Sequence, residues 1–196
     1  MINTIKALSS LCILLSASLI SSAALAASET NPETGSKTTS GGLLSTLPTY
    51  SKVYDPERDA FKDGAAAIKL ASNTNRRILI ELGGDWCKWC HVLDAFLDNN
   101  PDIKQQLHQT FVMLKVNVSD ANDNADFLKA FPRPLGYPHM YVSEYDGSVL
   151  WSKDTAELLK DGEYNRELFI EFFNRWKIKS TELTNTKLPD TGLSSK

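Results

Sequence analysis

Two cysteines three positions apart, Cys87 and Cys90, carry the most reactive chemistry in Asp85-Trp86-Cys87-Lys88-Trp89-Cys90-His91. Thiols at this spacing can cycle between dithiol and disulfide, because a sulfur one helical turn on can attack a mixed disulfide formed at the first. The run Ile78 to Leu82 reads as a short strand, Gly83-Gly84 breaks it, and Val92, Leu93, Phe96 and Leu97 recur at helical spacing until Asn99-Asn100-Pro101. Cys87 therefore falls where a strand gives way to a helix. Free backbone N–H groups and the positive end of the helix dipole stabilise a thiolate there, and Lys88 adds a positive charge. The expected nucleophile is Cys87, with Cys90 as the resolving thiol. An inert staple is poorly motivated, since so short a loop removes little unfolded-state entropy.

Two other chemistries could use the same atoms. Cys87-x-x-Cys90-His91 matches the covalent attachment signature of c-type haem, and two thiolates with His91 or His139 could hold zinc or copper. Against haem stands the preceding strand, since such cytochromes are usually helical around the haem. Against a metal stands the absence of a visible fourth ligand at a suitable spacing. Disulfide exchange itself calls for no cofactor.

The rest of the chain says where this chemistry would operate. Lys6, the apolar run Ala7 to Ile20 and Ala24-Leu25-Ala26 compose a secretory leader over 1–26, which predicts export, most simply to a periplasm. Cys12 lies inside that segment, so the remainder keeps only the spaced pair. Formal net charge is −3, one unit more negative once Lys6 is removed, and no basic patch offers a footprint for nucleic acid. Residues 27–50, rich in Ser, Thr and Gly, read as a flexible linker, and 178–196 as a disordered tail. Leu188-Pro189-Asp190-Thr191-Gly192 in that tail matches a sorting pentapeptide, but no hydrophobic stretch or basic tail follows, and coincidence explains it better.

Between them, 51–177 alternates helical and strand patterns, the mark of an α/β layer fold. Asp55-Pro56 is expected to open a helix bearing Ala60, Phe61, Ala65, Ile68 and Ala71. A short helix with Ile103 and Leu107, a strand over 111–118 and a helix over 125–131 follow. Pro132, Pro134 and Pro138 then punctuate, and Asp146-Gly147 joins two strands as a hairpin. A last helix carries Leu168, Phe169, Phe172, Phe173 and Trp176 on one face as core.

A strand ending in Trp86-Cys87-x-x-Cys90, with a later proline before a hairpin, resembles the thioredoxin superfamily over about 51–177. The resemblance implies a central mixed β-sheet flanked by helices and the activity of a thiol–disulfide oxidoreductase. It also assigns roles. Glu81, six residues before Cys87, corresponds to the buried carboxylate that takes the proton of the second cysteine, with Glu in place of the usual Asp. Pro138 corresponds to the cis-proline facing the disulfide, and Trp86, Lys88, Trp89 and Tyr137 become candidates for contact with substrate. The segment 73–87 is similar to the exported branch that includes the electron-delivering domain of membrane disulfide reductases. Implied partners are exported proteins carrying disulfides and a membrane disulfide reductase as electron donor.

Overall fold

The computed structural model describes residues 41–179; the leader, most of the 27–50 linker and all but the first two tail residues lie outside them. The elements are α1 (Gly41–Ser45), α2 (Ala60–Thr74), β1 (Arg77–Gly83), α3 (Lys88–Asn99), α4 (Pro101–Thr110), β2 (Phe111–Asn117), α5 (Ala125–Leu128), β3 (His139–Ser143), β4 (Val149–Asp154), β5 (Leu159–Lys160), β6 (Glu163–Tyr164) and α6 (Arg166–Trp176). Four strands make one mixed sheet in the order β2-β1-β3-β4, with β1 and β2 parallel and the other pairs antiparallel. This is the expected α/β architecture. No helix among the described residues is long and apolar enough to cross a membrane.

Strand parity decides what the sheet presents to each layer. From β1, Leu79 faces a core with Met113, Met140, Leu93, Leu107, Phe169 and Phe173, while Ile78, Ile80 and Leu82 face Ala67, Ala71, Val112 and Val116. Both faces are covered, which is why β1 is an almost unbroken apolar run. Glu81 shares the parity of Leu79, and its register partner on β2 is Lys115. An acid and a base thus meet on one face of a buried sheet.

Several boundaries differ from expectation. Packing begins before residue 51: Tyr50 is buried in the core, and the Ser51 hydroxyl donates to the Met113 carbonyl at 2.6 Å. The helix expected from Asp55-Pro56 starts at Ala60, because Asp59 accepts from Phe61 N and Lys62 N and so caps it. Its inward face is Ala60, Asp63, Ala67 and Ala71, whereas Phe61 lies outward, edge-on to Phe127. The helix expected over 125–131 ends at Leu128. The β5–β6 hairpin was not anticipated, although its turn, Asp161-Gly162, is the same dipeptide type as the turn at Asp146-Gly147; both residues of the new turn take positive φ.

One buried base makes the fold acid-sensitive. His108 is 3% exposed, and burial, reinforced by Lys104, Arg76 and Lys115, holds its pKa down to about 4 from an ordinary 6.5. Between those values the unfolded chain binds a proton that the folded chain refuses, so stability falls as pH drops through that window. The gap corresponds to roughly 3 kcal/mol when fully expressed. The urea midpoint should fall between pH 6.5 and 4 in the wild type and fall less in His108→Gln. Equal slopes in the two proteins would place the acid sensitivity elsewhere.

Candidate functional site at the start of α3

Gly83-Gly84 ends β1, and the chain turns through Asp85-Trp86 so that Cys87 becomes the N-cap of α3. Cys87 has extended backbone geometry, and its sulfur accepts from Cys90 N at 3.2 Å. A sulfur thus occupies the place that a Ser or Asp oxygen usually takes at a helix start. Cys87 and Cys90 are joined as a disulfide, with Cα atoms 5.3 Å apart. Cys90 is fully buried and Cys87 nearly so.

The two glycines are required by what surrounds them. A side-chain carbon at Gly83 would stand 2.6 Å from Cys90 Sγ and 2.6 Å from Tyr54 Cζ, and one at Gly84 would stand 2.7 Å from Trp86 Nε1. The absence of both side chains lets the disulfide and the Trp86 ring close onto the strand end. The Trp86 indole N–H donates to the Val118 carbonyl at 2.6 Å, which holds the ring although it is 57% exposed.

Around the disulfide the structure gathers part of the expected set. Tyr137 packs against the cysteine pair and meets Trp86 edge-on, with ring centroids 5.3 Å apart. The Tyr137–Pro138 bond is cis, and the Pro138 carbonyl accepts from the buried Thr155 hydroxyl. Trp89 lies apart from these, against Tyr164, with 42% of its surface exposed. Lys88 is exposed on the first turn of α3. His91 Nε2 is engaged with the Asp85 carbonyl and His139 Nε2 with Ser152 Oγ, each at 2.8 Å.

Glu81 is fully buried and so is shielded from solvent. Its Oε1 accepts from the Tyr54 hydroxyl and lies 3.6 Å from Lys115 Nζ, which in turn contacts Asp94 at 2.5 Å. Burial raises the Glu81 pKa above the ordinary carboxylate value, against the lowering pull of Lys115. For Lys115, burial alone would lower the pKa; the charges of Glu81 and Asp94 outweigh it and raise it. Tyr54, Lys115 and Asp94 were not singled out from the sequence. A lysine inside the buried strand Phe111–Asn117 was the available signal, since a buried lysine needs a partner.

The Thioredoxin-like family model matches residues 59–143, a span that contains β1, the cysteine pair and β3. The chain carries a thioredoxin-like domain. A disulphide isomerase from Xylella fastidiosa Temecula1 is 25% identical to it, with a TM-score of 0.53 over 66% of this chain and 95% of that one. The chain is also 23% identical over 100 residues to the thiol:disulfide interchange protein DsbD of Colwellia psychrerythraea. That match covers 50% of this chain and spans only 16% of the curated relative's length. The C-terminal domain of Neisseria meningitidis DsbD in its oxidised form is 19% identical, with a TM-score of 0.49 over 64% of this chain and 99% of that domain. A thioredoxin-like domain with a Cys-x-x-Cys disulfide at a helix start has the architecture that thiol–disulfide exchange uses.

Proposed function

We propose that this chain is exported and reduces or exchanges disulfides in other exported proteins through a Cys87/Cys90 cycle. The observation that carries the reading is the placement of Cys87 Sγ as the cap of α3, bonded to a resolving sulfur that is itself fully buried. In the reduced protein the Cys87 thiolate attacks a substrate disulfide; one substrate sulfur leaves and takes a proton. Cys90 then gives up its proton, for which Glu81 is the proposed acceptor, and attacks Cys87 Sγ. The second substrate sulfur leaves, and two electrons have passed to the substrate. Two electrons from a membrane disulfide reductase would restore the dithiol, a role supported by the similarity to a protein named for thiol:disulfide interchange, DsbD. Trp86, Tyr137 and Pro138 would form the surface against which substrate lies, with Lys88 and Trp89 on its α3 side.

Exchange is favoured over haem attachment by the mixed α/β sheet that holds the pair and by His91, whose ring nitrogen is turned onto the Asp85 carbonyl. The direction proposed is reducing to intermediate. The helix start and Lys88 favour the Cys87 thiolate, whereas a negative Glu81 opposes a second charge nearby. The range from thioredoxin-like to strongly oxidising spans about 150 mV, or about 7 kcal/mol for two electrons. Equilibration of the purified protein against glutathione buffers, read by alkylation of free thiols, should give a potential nearer the reducing end, with Cys87 alkylated first in the reduced form. A potential at the strongly oxidising end would overturn the direction, and alkylation of Cys90 first would overturn the assignment of the nucleophile.

A further inference from the structure

The buried carboxylate is connected to the disulfide through a residue outside the motif. Tyr54 precedes α2, is 7% exposed, and donates its hydroxyl to Glu81 Oε1. Its ring packs with Cys87 and Cys90. The hydroxyl and Cys90 Sγ flank one gap too small for a methyl group, because a side-chain carbon at Gly83 would lie 2.7 Å from the first and 2.6 Å from the second. Tyr54 thus bonds to Glu81 and borders the same space as Cys90 Sγ. Its other oxygen, Oε2, is buried with no protein hydrogen-bond partner among the described residues. Glu81 also lines a cavity of about 430 Å³ with Lys52, Asp94, Lys104 and Lys115. The carboxylate thus touches Tyr54 and also lines a cavity walled by both charged and apolar side chains.

We propose that Tyr54 relays the Cys90 proton to Glu81 during the resolving step, an inference that rests on the exchange cycle proposed above. As Cys90 Sγ attacks the Cys87–substrate disulfide, its proton passes to the Tyr54 oxygen while the Tyr54 hydroxyl proton passes to Glu81 Oε1. The Cys87–Cys90 bond forms, the Cys87–substrate bond breaks, and its electron pair leaves on the substrate sulfur as a thiolate. Tyr54 ends neutral, as it began, and Glu81 holds the proton until it leaves through the cavity. Burial, and then the charge of Glu81, raise the Tyr54 pKa well above the ordinary tyrosine value, so the hydroxyl is not itself lost as an anion. The other charged groups acting on Glu81 are Lys115 from β2 and Asp94 from α3, and Glu81 in turn raises the Tyr164 pKa from β6.

Tyr54→Phe in the full chain tests this, because it keeps the ring over which Lys115 Nζ sits at 4.6 Å and removes only the hydroxyl. Reduced protein mixed with an excess of the chromogenic disulfide dithiobis-nitrobenzoate should release nitrothiobenzoate in two steps, the first from attack by Cys87 and the second from resolution by Cys90. In Tyr54→Phe the first step should be unchanged and the second slower by about 100-fold, the low end of what a positioned proton acceptor provides. The rise of the second step with pH should also move to higher pH, since the Tyr54 hydrogen bond lowers the Glu81 pKa and its loss raises it. An unchanged second step, or equal slowing of both steps, overturns the proposal. Should the variant not fold, the solvent-deuterium dependence of the second step in the wild type decides: a curved dependence marks two protons in flight, and a linear one overturns the relay. A wild type that releases only one equivalent contradicts the exchange cycle instead, which separates the two failures.

Discussion

Cys90→Ser is expected to retain reaction at Cys87 and to lose turnover, leaving exported proteins bound to Cys87 as stable mixed disulfides. Cys90 has no exposed surface and Cys87, at the cap of α3, keeps a small one, so an incoming disulfide is expected to meet Cys87 first. Once that adduct forms, release depends on a second sulfur held one turn away, and a serine hydroxyl at position 90 neither ionises near neutral pH nor forms a bond to sulfur. Steady-state reduction of a protein disulfide should fall to the level of the Cys87→Ser/Cys90→Ser double variant. Gel mobility without reductant, followed by mass spectrometry of the adducts, would reveal the captured chains. A folded Cys90→Ser protein that collects no adducts would remove the main support for the exchange reading.

Gly83→Ala is expected to be the most damaging small substitution in the domain. The added carbon would meet Cys90 Sγ and Tyr54 Cζ at 2.6 Å each, and neither can swing away. The sulfur is tied into the disulfide, and the tyrosine is buried with its hydroxyl on Glu81. The backbone at Gly83 is also held, its carbonyl accepting from Val118 N at 2.7 Å. Overpacking of this kind costs about 1–3 kcal/mol. Gly84→Ala is the informative companion, because its nearest neighbour is the Trp86 side chain, which is 57% exposed and can rotate at the cost of its bond to Val118. Urea unfolding should therefore place Gly83→Ala well below Gly84→Ala, and the reduced form of Gly83→Ala should also resolve mixed disulfides more slowly. Wild-type stability in Gly83→Ala would show that the Tyr54–Cys90 contact is looser than the geometry requires.

Much of this domain was legible in the amino-acid sequence because the signals are local. A strand of five apolar or acidic residues, two glycines, two cysteines at one helical turn and a helix ended by Asn100-Pro101 set the position of Cys87 through hydrogen bonding and periodicity alone. The Asp146-Gly147 turn and the phenylalanine stripe of α6 were readable for the same reason: each is a short-range pattern with one physical solution. Element starts were less readable. Asp59 caps α2 in preference to the Asp55-Pro56 pair, and only packing puts Ala67 inside and Phe61 outside, since both are apolar and lie on a continuous helix.

What the tertiary structure alone decided is the setting of Glu81. Its place six residues before Cys87 can be counted along the chain, but its burial, its pairing with Lys115 and its contact with Tyr54 depend on strand register and on a segment 27 positions earlier folding back over the sheet. No local pattern encodes such a contact, because the residues that meet are brought together by the β1–β2 ladder and by the space left at Gly83. The reactive sulfurs are thus written in the sequence by their spacing. The buried carboxylate, base and tyrosine beside them arise only when the sheet closes and water is excluded, which is what gives those groups their shifted proton affinities.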